Sequence, residues 1–231
     1  MSDEDVEARR EGVARHGEPP GAPGDRGSRL AYVAHEVRNP ISTALWSAEL
    51  LARLPPDERG GPRGQKLVAL CQRSLVRLRT LVEDHFLAER LDAGGLPQEP
   101  EDMALAERIR EAAGRRPAGS GALEIDVDEG LVVVADRFLL DRILDALLGV
   151  AGGGGAPVRV TGSAAGDGVA LKVQGAAPPA HGLDDPLRAA PPDTSGRALS
   201  LSVARRAAQA VGGSLRIEEG GYLLRLRGGD H

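Results

Sequence analysis

The chain has 231 residues, 41% of them hydrophobic but with only two Phe, two Tyr and one Trp, so a core spanning one or two domains must be built from Leu, Val, Ile and Ala. Its net charge is −5, from 29 basic and 34 acidic residues that alternate along the chain, leaving no basic stripe for nucleic acid and no polybasic cluster for a membrane surface. The single cysteine, Cys71, excludes an internal disulfide and fits a reducing compartment, and no stretch approaches the roughly 18 to 20 apolar residues of a bilayer span or the apolar core of a signal peptide, so a soluble cytoplasmic protein is expected.

Residues 1–28 are polar, rich in Gly, Pro, Glu and Arg and without periodicity, and read as a disordered tail. From Leu30 the pattern changes. Leu30, Val37, Ala44 and Leu51 recur every seven residues, with Ala34, Ile41 and Ala48 as an interleaved row. That seam predicts a helix packed in a bundle. Pro55-Pro56 and the polar run to Gly64 end it in a loop. A second helix is expected from about Gln65 to Asp92, with Val68, Cys71, Leu75, Leu78 and Val82 on one stripe and Leu67, Leu70, Ser74 and Leu81 beside them. Glu83-Asp84-His85 on this helix reads as a solvated polar face. Residues 29–93 therefore form an antiparallel helical hairpin whose wide apolar stripe is most simply buried by a second copy, as a dimeric four-helix bundle.

Inside the first helix stands His35-Glu36-Val37-Arg38-Asn39-Pro40. A neutral imidazole is a competent nucleophile near neutral pH and can form an N-phosphoryl bond. Glu36 is placed to accept a hydrogen bond from one ring nitrogen, fixing the tautomer and leaving the other lone pair to attack. Asn39, four residues on, shares the His35 face and is suited to orienting a water. Pro40 lacks the N–H that would bond the Glu36 carbonyl, opening the backbone beside the nucleophile. The zinc motif H-E-x-x-H is excluded because position 39 is Asn, and no metal ligands are assigned. Arg38 reads as a solvated charge, and His16, His181 and His231 fall in expected loops or termini.

Residues 94–100 form a linker, and from 101 to 231 the pattern is mixed. Met103 to Ala113 predicts a helix; Leu123 to Val127 and Leu131 to Ala135, strands; Arg137 to Ala151, a strongly apolar helix. Pro157 to Thr161 and Val169 to Val173 are strands around a Gly-rich turn, and Pro178 to Ser195 reads as a long loop. Leu199 to Val211 predicts a helix, and Ser214 to Glu218 with Tyr222 to Leu226 a closing hairpin. The fold class is α+β: a helical hairpin followed by an α/β sandwich, one mixed sheet covered on one face by helices.

A His-Glu-x-x-Asn-Pro motif on the first helix of a hairpin, followed by such a domain, resembles the two-component sensor histidine kinases from about Leu30 to Leu226. The resemblance implies His35 as phosphoacceptor, Glu36 as its acid–base partner and Asn39 as the amide that orients water for dephosphorylating a response-regulator receiver domain. It also implies a homodimer through the hairpin and a second domain of the histidine-kinase ATPase type.

That second domain departs from the family where nucleotide is held. The family's N-L-L-x-N-A helix falls on Ala146-Leu147-Leu148-Gly149-Val150-Ala151, with no amide to help hold Mg2+, and no Asn occurs anywhere after Asn39. The D-x-G-x-G motif falls on Gly175-Ala176-Ala177-Pro178-Pro179, without its carboxylate, and G-x-G-L-G-L on Gly196-Arg197-Ala198-Leu199-Ser200-Leu201, with one glycine left. Asp136, Pro186 and Gly212-Gly213 match framework positions only. A lost hydrogen bond to a charged group weakens binding by about 10- to 100-fold. ATP and Mg2+ are therefore expected as cofactors only if the site still functions. The leading expectation is phosphoryl transfer through His35 to or from a response-regulator aspartate, or receiver dephosphorylation, with a degenerate ATP site. The alternatives are an active soluble ATP-dependent sensor kinase and a non-catalytic dimerising scaffold.

Overall fold

The computed structural model describes residues 23–117, 119–178, 183, 197–218 and 220–229. Helix α1 runs Pro23–Arg53, a single turn α2 Pro56–Arg59, and α3 Pro62–Asp92. The expected tail lies outside the described residues up to 22, but its last six residues, 23–28, belong to α1. Proline has the backbone φ of a first helical position, and Pro62 stands there. Between the two helices, Arg59 folds back so that Nε donates to the Leu54 carbonyl at 3.0 Å and Nη2 to Ala52 at 3.1 Å. These bonds satisfy carbonyls that the end of α1 leaves open. Gly64 is required at this corner, because a Cβ there would lie 1.9 Å from the Arg59 carbonyl oxygen.

The hairpin is confirmed; of the expected seam Ala44 is buried and Val37 and Leu51 are half-buried, while the interleaved row faces out. Among the α1 residues whose side chains are described, Glu36, Pro40, Ala44, Ser47 and, just beyond the helix end, Leu54 are buried, while Ala34, Ile41 and Ala48 are exposed. On α3 they are Gly64, Ser74, Leu81, Asp84, Leu87 and Ala88; Val68, Leu75 and Val82 face out. One helix can bury only one face against one neighbour, so the second apolar row is left exposed.

The second domain starts at strand β1, Pro100–Ala104, which takes the last residue of the expected linker and the first two of the expected helix. Helix α4 is Leu105–Gly114, β2 Leu123–Val127, β3 Val132–Asp136, α5 Arg137–Ala151, β4 Val158–Ala165, β5 Gly168–Gln174, α6 Arg197–Ala210, β6 Ser214–Glu218 and β7 Gly221–Arg227. The expected single sheet is two. β1 pairs antiparallel with β3, and a five-stranded sheet has the order β2-β4-β5-β7-β6, parallel only between β2 and β4. Strand β4 runs through the expected Gly-rich turn, and Gly162 fits because a Cβ would press the Val127 methyls at 3.0–3.1 Å. Most of the expected loop over Pro178 to Ser195, with His16, His181, His231, Pro179, Pro186, Gly196 and Glu219, lies outside the described residues.

Alternation along β5 buries Val169, Leu171 and Val173 against Leu139, Leu140, Ile143, Leu144 and Leu147 of α5 and Leu201, Ala204 and Ala207 of α6. Leu81, Leu87 and Ala88 of α3 belong to the same apolar cluster. The hairpin therefore contributes to the core of the domain that follows it. Arg108 on α4, 5% exposed, meets Asp141 of α5 at 2.6 and 2.7 Å and Glu111 at 2.6 Å, tying the two helices by buried charge.

Asp136 starts α5 as its N-cap, Oδ1 accepting from the Leu139 N–H at 3.0 Å while Oδ2 accepts from the Glu99 N–H at 3.1 Å. Asp136→Ala is expected to cost about 1–2 kcal/mol, read as a lowered urea midpoint. Wild-type stability in that variant would show that the cap is dispensable.

Candidate functional site

His35 sits in α1 with its side chain 53% exposed, while the next residue, Glu36, is 0% exposed. Neighbouring helical positions point about 100° apart, so one faces solvent and the other the hairpin interior. Glu36 divides its two oxygens. Oε1 lies 3.5 Å from His35 Nδ1, and Oε2 lies 3.4 Å from Nη2 of Arg77, which reaches across from α3. Asn39 and Arg38 are exposed on the same stretch, and Pro40 is buried. Around the proline, side chains use backbone carbonyls: Thr43 Oγ1 donates to Asn39 at 3.0 Å and Ser47 Oγ to Thr43 at 2.7 Å. Such back-bonds bend a helix gently.

His35, Glu36 and Asn39 are thus brought together as the spacing required, with the imidazole and amide open to solvent and the carboxylate behind them. Chemically, the arrangement offers a nucleophilic ring nitrogen, an acceptor for the proton on the other nitrogen, and an exposed amide one turn on. Arg77 was missed by sequence reasoning. It is one of several arginines on α3, and nothing in local spacing marks it.

A second polar cluster lies where α3 meets the following domain. Asp84, 2% exposed, is paired with Arg142 of α5 and accepts a 2.7 Å hydrogen bond from the Ser200 hydroxyl of α6. Arg142 also reaches Glu83 at 3.4 Å, and Arg206 of α6 meets Asp92 at 3.0 Å. The expectation of a solvated face at Glu83-Asp84-His85 is corrected here for Asp84: its partners are remote in sequence and cover it. Glu83, Asp84, Arg142 and Ser200 wall a cleft of about 400 Å3, together with Arg79, Arg115, Arg116, Asp145, Ala146, Gly149 and Val150. Its charged groups are largely spent on one another: Arg79 pairs with Glu83 at 3.6 Å, and Arg115 with Asp145 at 2.9 Å. No cluster of metal-ligating side chains occurs among the described residues.

Burial pushes Asp84 above the usual aspartate range, and the Arg142 charge and Ser200 hydroxyl offset this only in part. The packed state therefore tolerates a protonated Asp84 better than an exposed chain does. Its contribution to stability is fullest below the ordinary aspartate value and is lost as the pH rises through the raised one. Asp84→Asn is expected to match or exceed wild-type stability at about pH 7 and to equal it at acid pH. Arg142→Ala, which strands the buried carboxylate, is expected to cost about 3 kcal/mol at neutral pH and less in acid. Urea unfolding at the two pH values checks both; a small, pH-independent effect of Arg142→Ala would contradict the pairing.

Comparison with known proteins adds to this geometry. The His Kinase A (phospho-acceptor) domain family matches residues 25–94. The sensor protein CseC of Streptomyces avermitilis is 34% identical over 128 residues, 55% of this chain and 23% of that protein. The signal transduction histidine-protein kinase/phosphatase MprB of Mycolicibacterium smegmatis is 35% identical over 135 residues, 54% of this chain and 26% of that protein. The matches thus span about a quarter of the length of these relatives. Among solved structures, the Acinetobacter baumannii histidine kinase AdeS superposes with a TM-score of 0.61 at 18% identity, covering 85% of this chain and 98% of that one. Full-length ShkA in complex with AMPPNP gives 0.59 at 22%, covering 88% and 46%. At those identities the two structures speak for the fold: a helical hairpin followed by a mixed α/β domain. No described helix is long and apolar enough to cross a membrane.

Proposed function

We propose, from the premise that this chain belongs to the two-component sensor histidine kinase family, that it moves phosphoryl groups between His35 and a response-regulator aspartate without using nucleotide itself. The observation that carries this is the exposed His35 ring backed by a fully buried Glu36. In the forward direction the Nε2 lone pair forms an N–P bond while the acyl phosphate P–O bond breaks, its electron pair staying on the receiver carboxylate. Nδ1 keeps its proton against Glu36, which offsets the positive charge gained by the ring. The reverse step returns the group to aspartate. Asn39, exposed on the same face, orients a water for hydrolysis of the receiver's phosphate. A relative whose name joins kinase and phosphatase, MprB, supports that second activity.

The homodimer belongs to the same reading. Ile41, Leu45 and Trp46 on α1 and Val68, Leu75 and Val76 on α3 are exposed apolar residues within the region matched by the phosphoacceptor family. A second hairpin is the partner that buries them.

The cleft residues do not fit Mg-ATP. Ala146 and Val150 bring no oxygen to a metal, and the Ser200 hydroxyl is engaged by the Asp84 carboxylate where an open phosphate seat is needed. Two negative groups do not share such a place.

With a phosphorylated receiver domain as donor, His35→Ala is expected to abolish transfer. Asn39→Ala is expected to slow receiver dephosphorylation by about 10- to 100-fold while leaving transfer through His35 largely intact. Equal loss of both activities in Asn39→Ala would make it a structural residue. Labelled Mg-ATP is expected to leave the wild-type protein unlabelled, and label that disappears in His35→Ala would overturn nucleotide independence.

A further inference from the structure

We propose that Arg77 is a positioning residue for the chemistry of His35, holding the Glu36 carboxylate so that Oε1 faces Nδ1 and Nε2 is left as the nucleophile. The inference rests on His35 being the phosphoryl acceptor and adds a residue from the opposite helix to that site.

Glu36 has no access to water at 0% exposure, so its charge and its two oxygens must be satisfied from within the hairpin. The neighbours divide that task. Oε2 takes the Arg77 guanidinium at 3.4 Å, and Oε1 is turned to the ring nitrogen at 3.5 Å. Without a cation on the far oxygen, the carboxylate has no reason to keep that rotamer, and the ring loses the acceptor that fixes its tautomer. Arg77 is itself held in place: it lies on the inward side of α3, between buried Ser74 and Leu81, whereas Arg73 and Arg79 on the same helix are exposed. A guanidinium also suits the task better than an ammonium, because its planar fork keeps one orientation toward a carboxylate.

The chemical consequence is regioselectivity. When Glu36 holds the Nδ1 proton, a phosphoryl donor is attacked by Nε2 alone. When the carboxylate is released, both tautomers are populated and Nδ1 also reacts. Phosphoramidate, a small donor that needs no receiver domain, reports this directly. The ring nitrogen forms the N–P bond as the donor's P–N bond breaks, and the departing electron pair leaves on ammonia.

The test treats wild-type protein, Arg77→Gln and Arg77→Lys with phosphoramidate and follows 31P resonances of the two phosphohistidine isomers, with 15N shifts of the free His35 ring as a second reading. The expected result is Nε2 phosphorylation in wild type. Arg77→Gln should be about 10- to 100-fold slower, with a raised Nδ1 share and a mixed tautomer signature. Arg77→Lys should recover part of the rate and most of the isomer preference. In a Glu36→Gln background, Arg77→Gln should add nothing. An Arg77→Gln protein with wild-type rate and isomer ratio overturns the proposal, as does equal slowing in both Arg77 variants at an unchanged ratio, the mark of a packing role. Should Arg77→Gln fail to fold, Arg77→Lys decides: a slower rate with an Nδ1 share above that of wild type supports the proposal, and an unchanged Nδ1 share overturns it. Failure of the functional reading shows separately, as His35 that reacts with phosphoramidate but never exchanges phosphate with a receiver.

Discussion

The inward face of α3 is the constraint on which the structure depends. One 31-residue helix packs against α1 and against α6, and reaches α5 through the Asp84–Arg142 pair. Its face therefore has to satisfy two different neighbours. Near His35 it offers Arg77 to Glu36 of α1; further on it offers Leu81, Leu87 and Ala88 to the apolar core and Asp84 to two helices of the second domain. Arg77 and Asp84 are seven residues apart, about 10 Å along the axis. A displacement of α3 moves both contacts together.

Both contacts bury charge, and buried charge is a poor source of stability. Taking an ion from water costs several kcal/mol, which pairing and hydrogen bonding return only when the geometry is complete. Glu36 and Asp84 are thus better read as devices that fix one arrangement than as glue. Glu36 fixes the orientation of an imidazole. Asp84 fixes how the second domain sits on the hairpin, through groups from α5 and α6 at once. Apolar packing of Leu81 and Leu87 into the shared cluster supplies the attraction that pays for both.

Features carried by neighbouring residues were legible in the sequence, and features carried by distant ones were not. The motif from His35 to Pro40 could be read because its members are one residue or one helical turn apart, which fixes their relative placement on any helix. The apolar helix from Arg137 and the closing hairpin were equally plain. By contrast, the partners of Asp84 lie 58 and 116 residues away, and Arg77 is 41 residues from Glu36. Spacing along the chain carries no trace of either pair. Met103-Ala104 reads as helical by propensity, yet pairing with Val133 and Val132 makes it strand, a case of tertiary contact overriding local preference. The heptad row of Ala34, Ile41 and Ala48 was recognised as apolar, but which row faces inward depends on α3, not on α1 alone.

The most direct test mixes the protein with a receiver domain carrying aspartyl phosphate, in buffer free of nucleotide, and maps alkali-stable, acid-labile phosphate on the protein by mass spectrometry. Phosphate on His35, absent from His35→Ala, is the predicted result. An unmodified His35 together with an unchanged lifetime of the receiver phosphate would contradict it.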